Sequence, residues 1–89
     1  MDTKILIELI NEGLKSDSAK DYKPNELYLK MLKFCVESKK RIPLENLIDY
    51  SVVFLEYLDK NDYDLENGSF WLLMLIQESY RYNKSLQLS

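Results

Sequence analysis

Asp59, Asp62, Asp64 and Glu66 place four carboxylates within eight residues, with one aromatic ring, Tyr63, among them. Carboxylates at this density suit three kinds of chemistry: holding a calcium ion, sharing a proton in acid–base catalysis, or attracting a cationic surface. A helix–loop–helix calcium site needs a glycine at the sixth position of its loop and a bidentate glutamate at the twelfth. Counted from Asp59 those places hold Asp64 and Phe70, and counted from Asp62 the last holds Leu73, so both registers fail. Acid–base catalysis lacks its commonest partner, because the chain contains no histidine. Electrostatic docking remains. Acids accelerate encounter with a positive protein surface, and a tyrosine supplies contact area at small entropic cost. Asp59, Asp62, Tyr63, Asp64 and Glu66 are therefore the candidate partner-binding residues, set against the plainer reading of a solvated, charge-rich loop.

Other chemistries fall by the same inspection. Without histidine no Ser–His or Cys–His pair can be built, and a lone cysteine, Cys35, excludes the usual zinc ligand sets and any intramolecular disulfide. Gly13 and Gly68 are too far apart to form a phosphate-cradling loop. The expectation is a protein with no catalytic residues, no metal and no cofactor. Lys39, Lys40 and Arg41 offer a short cationic run. It reads either as charge compensation at a helix C-terminus or as a nucleic-acid contact, and the acidity of the whole chain favours the first.

The formal charge of −3 conceals an asymmetry. Met1 to Ile42 carry nine basic and seven acidic residues, whereas Pro43 to Ser89 carry three and eight. A positive partner would be drawn to the second half. The Met-Asp-Thr-Lys start lacks the basic and apolar segments of a secretory signal, which points to the cytoplasm, and the Asn67-Gly68-Ser69 and Asn83-Lys84-Ser85 glycosylation patterns carry no weight there. The longest apolar run, Phe70 to Ile76, is seven residues, far short of a membrane span.

Four amphipathic segments position these residues. Leu6, Ile10 and Leu14 recur every four residues between Thr3 and Lys15, with Asp2 or Thr3 placed to cap the start and Gly13 weakening the end. Ser16 to Lys23 shows no periodicity and reads as the longest loop. A second helix begins at Pro24, whose missing N–H costs nothing in a first turn, and runs to about Lys39 with a stripe of Leu27, Met31, Phe34 and Cys35. A third spans Pro43 to about Lys60 on Leu47, Ile48, Ser51, Phe54, Leu55 and Leu58. Gly68 and Ser69 mark the start of a fourth, which ends near Tyr82 or Asn83 and is apolar on every side over Phe70–Ile76. The fold class is all-α: a compact antiparallel bundle of about four helices in one domain, residues 1–89, with the last helix most buried.

Seven tyrosines are spread along the chain, and Tyr50 and Tyr57, seven apart, share a helical face with Val53 beside them. Tyrosine can complete a core while its hydroxyl stays wet, yet more apolar face than a small bundle needs is also how a partner-binding surface looks. Together with the acids of Asp59 to Glu66 and the Phe70-Trp71 pair that follows, the chain resembles the small helical immunity proteins that protect bacteria from colicins and contact-dependent inhibition toxins. The resemblance implies a non-catalytic protein that binds a toxin domain, often a basic nuclease, with carboxylates standing in for nucleic-acid phosphates. The alternatives are a self-associating helical adaptor, whose spare aromatic face makes a homodimer, and a nucleic-acid-binding regulator using Lys39, Lys40 and Arg41.

Overall fold

The computed structural model describes residues 3–88 and contains α1 (Lys4–Lys15), α2 (Asp17–Asp21), α3 (Lys23–Glu37), α4 (Leu44–Lys60) and α5 (Leu65–Leu88). It is all-α, as the periodicity requires. α1 packs against α3 on one side and α5 on the other, and α5 in turn packs against α4. The core is built from Leu6, Leu9 and Ile10 of α1, Leu29 and Leu32 of α3, Leu47 of α4 and Leu75 of α5. Removing each such side chain from water is worth about 1.5–3 kcal/mol.

Several local expectations change, each for an identifiable reason. The presumed loop after Lys15 contains α2. Ser16 caps it, its Oγ accepting from the Ala19 N–H at 3.2 Å, and this local bond orders five residues too few to show a helical period. The buried stripe of α3 is Asn25, Leu29, Leu32, Cys35 and Val36, whereas Leu27 and Phe34 are 67% and 54% exposed. α3 carries two overlapping apolar stripes, and packing against α1 selects the one containing Leu29 and Leu32.

The last helix starts one turn earlier than Gly68-Ser69 suggests. Asp64 caps it, accepting from the Asn67 N–H at 3.1 Å. Gly68 lies within α5, where a Cβ would stand 2.4 Å from Leu58 Cδ1, so the missing side chain lets α4 and α5 approach. At the other end helix continues to Leu88, with Leu86 packed against the core. α5 is also not enclosed on every side. Leu72 and Leu75 face inward, but Phe70 and Leu73 are each 64% exposed, because packing mainly against α1 and α4 leaves a third face of the helix open. At the chain start, Thr3 occupies the capping position of α1 without a side-chain bond, and Asp2 lies outside the described residues.

Gly13 does not fray α1. It is buried mid-turn against Trp71, whose Cζ2 would sit 2.5 Å from a Cβ at this position. The notch allows the Trp71 indole N–H to donate to the Leu9 carbonyl at 2.8 Å, tying α5 to α1.

Candidate functional site

The acidic segment is shaped by how α4 ends. The Tyr63 N–H donates to the Leu58 carbonyl at 3.0 Å and the Asp62 N–H to that of Asp59 at 3.4 Å, while Asp62 adopts φ 57°. This is a Schellman closure with aspartate where glycine is usual, a conformation that costs a non-glycine residue about 1 kcal/mol. Its result is that Asp59, Asp62, Asp64 and Glu66 all lie exposed around one corner of the molecule. Asp64 divides its carboxylate between solvent and the α5 cap.

Tyr63 is half-buried and less available than a free anchor. Its hydroxyl donates to the Asp21 carboxylate, and its ring centre lies 6.0 Å from that of Tyr57. The bond to Asp21, aided by burial, pushes the phenol pKa up. Asp21, at the end of α2, is thereby a further acid at this corner; 42 positions of chain separate it from Tyr63, so no local pattern signals it. Among the described residues no group of acidic or thiol side chains is arranged to hold a metal ion.

Tyrosines scattered in sequence are gathered in space. Tyr28 stacks on Tyr50 at 4.2 Å between ring centres, Tyr50 lies 5.7 Å from Phe54, and Tyr22 stacks on Tyr57 at 4.3 Å. Burial pushes the Tyr28 hydroxyl up to about 12 and raises that of Tyr50 further. Of the last pair on α5, Tyr82 is buried and Tyr80 exposed.

Beside the acidic corner a cleft of about 450 Å³ opens between α1, α4 and α5. Phe54, Leu58, Phe70, Trp71, Glu12, Asp64 and Asn25 are among the residues that line it. Asn25 is 0% exposed, and neither its amide nitrogen nor its oxygen has a hydrogen-bond partner. No chemical motif in the sequence singles out Asn25. The available signal was its spacing to Leu29, Leu32 and Val36, which puts it on the buried stripe of α3.

The basic run lies beyond α3 in a connection of the same build as the acidic one. Lys39 takes φ 56°, and the Lys40 N–H donates to the Cys35 carbonyl at 2.8 Å. The Lys40 ammonium sits 5.4 Å over the Phe34 ring, and Arg41 approaches Glu45 at 3.7 Å. No protein-family model matches this chain, and neither a curated protein nor a solved structure matches it.

Proposed function

We propose that the protein is a non-catalytic binding protein of the cytoplasm that neutralises a basic toxin domain through its acidic corner. The observation that carries this reading is the convergence of Asp21 with Asp59, Asp62, Asp64 and Glu66 around Tyr63, flanked by Leu65 and Phe70, which are 41% and 64% exposed. Acids supply attraction and steering, and the exposed leucine and phenylalanine supply area to desolvate at the centre of a contact. The absence of histidine and the single cysteine support the lack of catalysis.

The test uses Asp59→Lys, Asp62→Lys and Glu66→Lys together, sparing Asp64 because its removal would cost the α5 cap about 1 kcal/mol. Wild-type and reversed chains serve as baits in lysate of the source cell. A basic protein retained by the wild type, eluted by salt and absent from the reversed bait with unchanged helicity supports the reading; identical captures by both remove the acidic corner from it. A second reading, a self-associating adaptor, rests on Ile48 and Val52, one turn apart on α4 and about half exposed (51% and 53%). Sedimentation over a concentration series separates the two, since only the adaptor forms a stable homodimer.

A further inference from the structure

We propose that the outer face of α5 pairs, antiparallel, with the same face of a second copy of this chain in a reversible homodimer. Glu66, Phe70, Leu73, Gln77, Tyr80 and Lys84 are all exposed and follow one another at alternating spacings of four and three. That alternation is the seam of a two-stranded coiled coil, which turns a residue toward its partner every 3.5 positions on average. The seam points away from the fold. Glu66 and Lys84 each stand nine residues from Leu75, which is fully buried, and nine residues are about two and a half helical turns. The fold leaves the stripe uncovered, with Tyr80 52% exposed besides Phe70 and Leu73.

The order of residues along the stripe selects the occupant. Two antiparallel copies related by a two-fold axis at Leu75 set each residue opposite the one equally far on the other side of the axis. Glu66 then meets Lys84 of the second copy, Phe70 meets Tyr80, and Leu73 meets Gln77. Each pairing occurs twice, and none brings like charges together. A parallel pair would set Glu66 on Glu66 and Lys84 on Lys84, which the repulsion of like charges disfavours. The Lys84 ammonium already lies along the stripe, 5.6 Å over the Tyr80 ring. The helix ends agree: Asp64 and Glu66 stand at the start of α5 and Arg81 and Lys84 toward its end, so an antiparallel pair joins acidic end to basic end. Three apolar side chains per copy, with Gln77 polar beside the axis, fall short of the apolar core of a permanent dimer. The association is therefore reversible, with a Kd on the order of 10–100 µM, unlike the stable α4 contact of an adaptor. It does not rest on the toxin reading. Glu66 and Phe70 belong to both surfaces, so a toxin and a second copy would exclude each other.

The test is sedimentation equilibrium of the full chain over a concentration series spanning that Kd, with helicity followed by circular dichroism. Leu73→Asp, at an exposed position, should abolish the dimer and leave helicity unchanged. Glu66→Lys or Lys84→Glu alone makes both end pairs repulsive and should weaken the dimer about tenfold. The double variant, and an equimolar mixture of the two single variants, should recover wild-type affinity, because opposite charges face each other again in both. Gln77→Leu should tighten the dimer about tenfold. The proposal is overturned if the wild type stays monomeric across the series, if Ile48→Asp on α4 removes the dimer while Leu73→Asp does not, or if the double variant is as weak as the single ones. A monomeric wild type would leave capture by the acidic corner untouched, so the two readings fail separately.

Discussion

Two buried asparagines lie toward opposite ends of α4, and the fold treats them in opposite ways. Asn83, 7% exposed, is fully engaged: its Oδ1 accepts from the Ile42 N–H at 2.8 Å and its Nδ2 donates to the Ile42 carbonyl at 2.7 Å. Beside it the Tyr82 hydroxyl shares its hydrogen between the carbonyls of Lys40 at 2.7 Å and Cys35 at 3.0 Å. Asn25 is more deeply buried and has nothing. The same side chain is a clamp where backbone faces it and an unpaired amide where none does. Polarity in a core therefore says little about role until its partners are counted.

The contrast breaks most visibly at Asn83. Asn83→Leu leaves both backbone groups of Ile42 buried and unpaired, and should destabilise the fold by about 2–4 kcal/mol in urea titration. A loss below about 1 kcal/mol would mean that the clamp is dispensable.

Gly13→Ala comes next. Helix propensity alone favours alanine by about 1 kcal/mol, but the new methyl would meet the Trp71 ring and Leu29 Cδ1, at 2.5 and 2.7 Å. A net loss of about 1–3 kcal/mol is expected, with a change in Trp71 emission as its indole leaves the Leu9 carbonyl. A gain in stability would show that Trp71 can shift without cost.

The smallest effect sharpens the comparison furthest. Asn25→Leu removes an unpaired amide and should leave stability unchanged or raise it by up to about 2 kcal/mol. If it instead destabilises as much as Asn83→Leu, Asn25 is a structural residue and the distinction between the two collapses.

What the sequence makes legible follows the strength of local pattern. α4 is readable because Leu47, Ser51, Phe54 and Leu58 recur at spacings of three and four on one face, and all four are buried. α3 is not, because Leu27 and Phe34 compete with Leu29, Leu32 and Val36, and only the presence of α1 chooses between them. α2 and the start of α5 depend on single capping side chains, Ser16 and Asp64, which periodicity does not register. The acids of the candidate site are adjacent in sequence and were visible; Asp21 and Asn25 reach it from elsewhere in the chain and were not. The cleft exists only because segments more than forty residues apart meet.

That reach bears on how the molecule is made. The connection between α3 and α4 is held from α5 by Tyr82 and Asn83, and α1 is held from α5 by Trp71, across separations of 41 to 62 positions. On a ribosome the early helices would wait, half-formed, for a keystone synthesised after them, so the core closes only once translation has delivered the segment that locks it.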